Sequence, residues 1–146
     1  MPQVVSPAYL DTLCKAREYE GLNWISAALC GSPSFDEMHA TYGLPKPLFL
    51  LVESLAWFAQ GVRSGARTYF EATPLERQQA MLEMLKREDF PADFAERYAF
   101  GASNWQDSKH LASLDTWLDR NDETNNQILW RLVERNRALI VASTRY

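Results

Sequence analysis

The segment from Leu48 to Glu71 constrains the fold more than any other part of the chain, because its apolar residues recur at helical spacing. At about 100° per residue, Glu53, Arg63 and Arg67 share a polar arc opposite an apolar stripe. That stripe consists of Leu51, Leu55, Phe58, Val62, Ala66 and Tyr69. We therefore expect one long amphipathic helix at the centre of the fold.

Two glycines, Gly61 and Gly65, line the edge of this stripe. With the intervening arginine they resemble a phosphate-binding loop, but the lysine and the preceding strand of such a loop are missing. Small residues one helical turn apart instead allow a neighbouring backbone to approach closely. We predict that both glycines are close-packing positions within the long helix.

Helix start and stop signals are frequent along the chain, whereas strand signals are scarce. They predict further helical segments from Ser6-Pro7 to Gly31, from Ser34 to Tyr42, from Thr73-Pro74 to Arg87, to Phe100 before Gly101, from Ser103 to Arg120, and from Thr124 to Ala142. The loops between them are short. The sequence therefore predicts an all-α fold: a single domain over residues 1–146, with six or seven helices bundled around the long central helix.

Charge and hydropathy restrict the classes of partner. The net charge of −4 argues against a sequence-independent nucleic-acid binder. The C-terminal arginines Arg131, Arg135, Arg137 and Arg145 form only a mildly basic helix. No apolar run is long enough to cross a membrane, and no signal peptide is apparent. We expect nucleic acid to be an unlikely partner, no membrane association, and a cytoplasmic location by default.

Metal and cofactor motifs are absent from the sequence. Cys14 and Cys30 lack the neighbouring histidines of a zinc site, and are too far apart for a disulfide within one unbroken helix. Asp107 and His110 match only half of a paired helical di-iron motif. We expect two reduced thiols, no metal and no cofactor, and we assign no catalytic residue.

Polar residues on apolar helix faces are the first group of candidate site residues, because burying them is costly without partners. Arg17 falls on the apolar arc of the first helical segment, and Asn136 on that of the last. Asp107 and His110 share an apolar arc of the segment after Ser103. One interpretation is a buried network that sets helix register. The alternatives are an interhelical polar pocket, with Asp107 orienting the imidazole of His110, and simple exposure of these side chains at helix ends.

Aromatic residues beside polar arcs are the second group. Trp57 borders the polar arc of the long helix, and Trp130 projects beside charged residues of the last one. They either pack against other helices or anchor a partner protein, since tryptophan is enriched in interfaces. Arg63 and Arg67 are likewise either a solvated face or part of a site for an anion or an acidic partner, with Glu71 placed to pair with Arg67.

Two functions remain open from the sequence. The favoured hypothesis is a non-enzymatic protein-binding module that binds a partner or self-associates through Trp57, Arg63, Arg67 and Trp130. An inhibitor or immunity-type protein acting on a toxin or enzyme is one concrete version. The alternative is a small-molecule binder or enzyme that uses a pocket lined by Arg17, Asp107, His110 and Asn136.

Overall fold

A computed structural model describes residues 5–87 and 90–144 of the chain. These residues form nine α-helices and no strand, so the predicted all-α class is confirmed. The longest of the described helices is α3, with 19 residues. In chain order the helices are α1 (Pro7–Ala16), α2 (Tyr19–Cys30), α3 (Lys46–Ser64), α4 (Ala66–Ala72), α5 (Leu75–Arg87), α6 (Ala92–Asn104), α7 (Ser108–Arg120), α8 (Asp122–Arg135) and α9 (Arg137–Ser143).

Three predicted helices are each broken in two and one of the seven predicted segments, from Ser34 to Tyr42, is not helical, which is why the described residues hold nine helices. The first break lies at Arg17, whose backbone is left-handed with a φ of 52°. The second lies at Gly65 and the third at Asn136. Each break changes the direction in which the following side chains point, and so alters which of them are buried.

Gly65 corrects the prediction of an unbroken helix from Leu48 to Glu71. Its φ of 88° and ψ of 151° lie in a region that is essentially reserved for glycine. The carboxylate of Asp115 then accepts a hydrogen bond of 2.7 Å from the backbone N–H of Ala66, at the start of α4. Gly61 is a close-packing position, as predicted, because a Cβ there would overlap the side chain of Leu118.

The helix predicted from Ser34 to Tyr42 is not formed, and this segment consists of turns. The backbone N–H of Asp36 donates to the carbonyl of Tyr42 at 2.9 Å and closes the loop. Tyr42 is left-handed, with a φ of 58°, and its hydroxyl donates to the Glu53 carboxylate at 2.6 Å. Glu53 is therefore buried, although its place on the polar arc predicted exposure.

The boundary predicted at Gly101 also lies elsewhere. Helix α6 continues through Gly101 to Asn104. A Cβ at Gly101 would overlap the Phe70 ring and approach Leu114, so this glycine serves helix packing rather than helix termination. The next helix starts at Ser108 rather than Ser103, with Asp107 as its N-cap residue.

Contacts divide the chain into two compact units, whose boundaries fall within α3 and α8. Unit 1 comprises residues 1–55 and 126–146, and unit 2 comprises residues 56–125. The prediction of a single domain over residues 1–146 stays a prediction.

In unit 1, α9 packs against α1 and α2. A hydrogen bond of 3.2 Å from the N–H of Val5 to the Thr144 hydroxyl joins the two ends of the described chain. Gly21 lies directly against Trp130, since a Cβ at this glycine would be 2.8 Å from the indole. The apolar core of unit 1 includes Leu10, Leu22, Ile25, Leu29, Phe49, Leu50, Trp130, Val133 and Ile140.

In unit 2, α6 packs against α4, α5 and α7, and α4 also packs against α7. Aromatic rings form much of the core here, with centroids 5.0–6.4 Å apart, mostly edge to face. Such ring pairs stabilise a core beyond the area they bury. The cluster consists of Trp57, Phe58, Tyr69, Phe70, Phe94, Tyr98 and Trp117.

Candidate functional site

The two tryptophans predicted to anchor a partner are fully buried. Trp57 stacks on Trp117 at 5.9 Å and meets Tyr98 edge to face at 5.1 Å within unit 2. Trp130 fills the space beside Gly21 in unit 1. Neither side chain is available to a partner in this structure, which corrects the prediction that Trp57 and Trp130 form a docking surface. Both tryptophans instead pack inside the protein, which was the alternative interpretation.

Arg63 and Arg67 are exposed, as their place on the polar arc predicted. The Arg67 guanidinium lies 3.8 Å from the Glu71 carboxylate, which is the predicted i,i+4 pair. Exposed pairs of this kind contribute little stability. Because Gly65 separates the two arginines between α3 and α4, they do not share one helix face.

Asp107 and His110 contact each other, but not in a buried pocket. The Asp107 carboxylate accepts hydrogen bonds from the backbone N–H groups of Lys109 and His110, as an N-cap residue does. It also lies 2.7 Å from Nδ1 of His110, and the two side chains are 48% and 57% exposed. Desolvation acts to raise the pKa of Asp107, but the hydrogen bonds from His110 and Lys109 outweigh it and lower this pKa. The pair caps α7.

Arg17 and Asn136, the other members of the predicted pocket, are half-buried and have partners within unit 1. The Arg17 guanidinium donates to Glu134 at 2.7 Å and to Gln127 at 3.3 Å, which joins the end of α1 to α8. The Asn136 amide donates to the carbonyl of Leu132 at 2.8 Å. Burial, as a network or as a pocket, is therefore wrong for Asp107 and His110, which are exposed at the start of α7. Arg17 and Asn136 are half-buried at helix ends, so exposure at helix ends describes these residues better than a buried pocket does.

Other polar residues are buried instead, and most of them hold loops or chain ends. Gln78 donates to the carbonyls of Phe70 and Thr73, which ties the start of α5 to the end of α4. Glu53 accepts from Tyr42. The buried polar residues of the described chain are Ser32, Glu53, Ser54, Gln78, Asn125, Asn126 and Thr144. Helical periodicity had placed Glu53 on a solvated arc, and no local signal marked the rest.

Both cysteines are free, and burial raises the pKa of each thiol. In the described ranges, 5–87 and 90–144, no group of three or more metal-ligating side chains lies close enough together to hold a metal ion. None of the helices described is long and apolar enough to cross a membrane. Arg145, the last of the C-terminal arginines, lies outside the described residues.

The outward arc of α2 is the surface in unit 1 that carries exposed aromatic side chains on one helix. Trp24 is 48% exposed and Tyr19 is 40% exposed. At about 100° per residue they bound an arc of roughly 140°. Glu20, Asn23 and Ala27 lie between them and are exposed. The opposite face is buried, so packing orients this aromatic and acidic arc toward solvent.

The charge on the α2 arc is negative and is not neutralised from within. Glu18, at the N-cap position of α2, and Glu20, in its first turn, are both exposed. Neither glutamate forms an ion pair with any residue that the structure describes. The positive end of the helix dipole favours carboxylates at this position.

The sequence obscured this surface because Arg17 breaks the first helix. With an unbroken helix from Pro7, Trp24 falls on the same arc as Leu10 and Cys14, which are buried. The left-handed backbone of Arg17 resets the helical phase, and Trp24 then points outward. An αL arginine has no sequence signature, since this conformation is uncommon for residues other than glycine.

Comparison of the chain with protein-family models, with curated proteins and with solved structures found no match.

Proposed function

We propose that this chain is a non-enzymatic protein-binding module that docks a basic partner protein on the outward arc of α2. The observation that carries the proposal is the half-exposed indole of Trp24, which lies one helical turn after the unpaired Glu20 on the same outward arc. Tryptophan is among the residues that contribute most to protein interfaces when a partner covers them.

A basic partner follows from the chemistry of the arc. Lysine and arginine side chains interact favourably both with carboxylates and with the faces of tryptophan and tyrosine. The arc offers both kinds of group within about two helical turns, at Tyr19, Glu20 and Trp24. The net charge of −4 extends the attraction to longer range and raises the rate of encounter with a positive surface.

Burial beneath the arc preorganises it. Gly21 lies against Trp130, and Leu22 and Ile25 are fully buried. The outward side chains are therefore presented by a helix that is already folded, so the ordering cost of binding falls mainly on the side chains. One concrete version of this function is an inhibitor or immunity-type protein that covers the basic substrate surface of a toxin or enzyme acting on nucleic acid.

The test is capture of a stoichiometric partner by the immobilised chain, followed by measured affinities for purified variants. Trp24→Ala is expected to weaken binding at least tenfold, about 1.4 kcal/mol, because the indole would be covered in the complex. Glu20→Lys is expected to slow association and to reduce its dependence on salt.

Matched controls exist on α5. Leu75 is 68% exposed, so Leu75→Ala removes an exposed apolar side chain elsewhere, and Glu83→Lys repeats the charge reversal on an exposed site. Both controls should bind like the parent chain. The docking surface is refuted if Trp24→Ala and Glu20→Lys leave the affinity for the partner unchanged. It is also refuted if the two α5 controls weaken binding as much as these variants do. A chain with neither a partner nor self-association in gel filtration refutes the protein-binding function.

A further inference from the structure

A second surface, in unit 2, carries arginines where the α2 arc carries glutamates. A groove of about 510 Å³ lies between α6 and α7. The groove is shallow and open to solvent, so a ligand would be held by contacts along one side. The polar and aromatic side chains that line it are Arg97, Ser113, Thr116, Trp117, Arg120 and Asn121. Arg97 belongs to α6, and Arg120 lies one turn beyond Thr116 on α7.

Aromatic packing holds the floor of the groove in place. Trp117 stacks on the buried Trp57 at 5.9 Å and meets the edge of Phe94 at 5.5 Å. The guanidinium of Arg97 lies 5.5 Å from the centre of the Trp117 ring, which is a cation–π contact. One of the two arginines is thus positioned by a rigid core before any ligand arrives.

The two guanidiniums keep their hydrogen-bond capacity for a ligand. Neither Arg97 nor Arg120 forms an ion pair within the part of the chain that the structure describes. The hydroxyls of Ser113 and Thr116 donate to carbonyls of α7 itself, so the arginines are the main donors in the groove.

The end of α7 does not present a bare carbonyl to an anion here. The carbonyl of Trp117 accepts from both the backbone and the side-chain amide of Asn121, at 3.0 and 2.9 Å. The unfavourable negative end of the helix is therefore partly satisfied where Arg120 and Asn121 line the groove.

We propose that this groove binds a phosphate dianion, either free or as the monoester of a small molecule. Two guanidiniums on different helices can each donate two parallel hydrogen bonds, and a phosphate offers enough oxygens and charge for both. A carboxylate has only two oxygens and one charge, so it satisfies one arginine. The organic group of a monoester would lie along the open groove beside Trp117.

The test is a titration in phosphate-free buffer at low ionic strength, with phenyl phosphate, inorganic phosphate and benzoate as probes. Binding is followed by calorimetry and by the indole N–H resonance of Trp117, which Trp117→Phe identifies. We expect saturable 1:1 binding of phenyl phosphate that shifts this resonance, and binding of benzoate at least tenfold weaker. Tighter binding of phenyl phosphate than of inorganic phosphate assigns a monoester, and equal binding assigns free phosphate.

Three arginine variants make the test specific. Arg120→Ala, at an exposed position, is expected to weaken phenyl phosphate binding about tenfold without changing the fold. Arg97→Lys, which keeps the charge but loses the planar fork, should also weaken it. Arg63→Ala removes an exposed arginine from α3 in the same unit and should change binding less than twofold. Equal losses in all three variants, benzoate binding as tightly as phenyl phosphate, or no saturable shift at Trp117 each overturn the proposal.

Discussion

Replacing Gly65 by alanine tests the physical reason for the break between α3 and α4. With a φ of 88° and a ψ of 151°, this residue occupies a region that costs other residues roughly 1–3 kcal/mol. The added Cβ would lie 3.7 Å from the nearest Asp115 oxygen, an ordinary contact, so backbone strain is the main cost. Alanine also restricts the unfolded chain more than glycine does, and this effect offsets about 0.4–1 kcal/mol of the strain.

The net expectation is a loss of about 1–2 kcal/mol from the free energy of unfolding. For 146 residues this corresponds to a lower Tm by roughly 3–8 °C. Urea unfolding followed by circular dichroism measures the loss. Gly65→Asn discriminates further: asparagine tolerates the left-handed helical region, but a ψ of 151° lies outside that region, so it should destabilise similarly.

Ser64→Ala is the control, since this exposed residue ends α3 beside Gly65 and its replacement should change stability by no more than about 0.5 kcal/mol. Equal or greater stability of Gly65→Ala relative to the parent would falsify the strained-glycine argument and favour a continuous helix.

Two further predictions follow from packing and from charge. Gly101→Ala should lower stability by about 1–2 kcal/mol in urea unfolding, because overpacking against the Phe70 ring outweighs the better helix propensity of alanine. The double variant with Phe70→Leu should recover part of that loss, and additive effects would contradict the clash. Asp107 has a pKa below its ordinary value of 3.8, so its contribution to stability is present above that value and disappears as the pH falls through the folded-state pKa. Asp107→Asn should therefore flatten the loss of stability in acid, and an unchanged pH profile would argue against this contribution.

The starts of α1 and α5 were predictable from local features. Helix α5 begins at Leu75, within one residue of the start that the Thr73-Pro74 pattern predicted. The carbonyl of Pro45 accepts the first backbone hydrogen bonds of α3. Ser6 caps α1 through a hydrogen bond of 3.1 Å to the N–H of Tyr9, as the Ser6-Pro7 pattern predicted. These signals are local because capping and proline geometry act within one helical turn.

The structural role of each glycine was ambiguous in the sequence. Gly61 packs closely, Gly65 breaks the helix, and Gly101 continues a helix that it was expected to end. The same residue type provides both a missing side chain and a permissive backbone. Which property is used depends on the neighbouring helix, which for Gly101 supplies the ring of Phe70.

The candidate site residues depended on helical phase and were therefore mostly misplaced. Asp107 and His110 seemed to lie inside a helix, but Asp107 begins one, and this start places both side chains in solvent. Trp57 and Trp130 border polar arcs in sequence, yet aromatic neighbours and Gly21 enclose them. A helix surrounded by others buries more than one face, and the sequence does not state how many neighbours a helix has.

The sequence by itself determined the all-α class, the starts of α1 and α5, the exposure of Arg63 and Arg67 and the pairing of Arg67 with Glu71. These properties arise from contacts within a few residues. Only the tertiary structure decided the break at Arg17, where hydrogen bonds to Glu134 and Gln127, more than 100 residues away along the chain, hold the side chain of a left-handed residue. That break turns Trp24 outward, because the direction of every later side chain in a helix follows from where the helix begins.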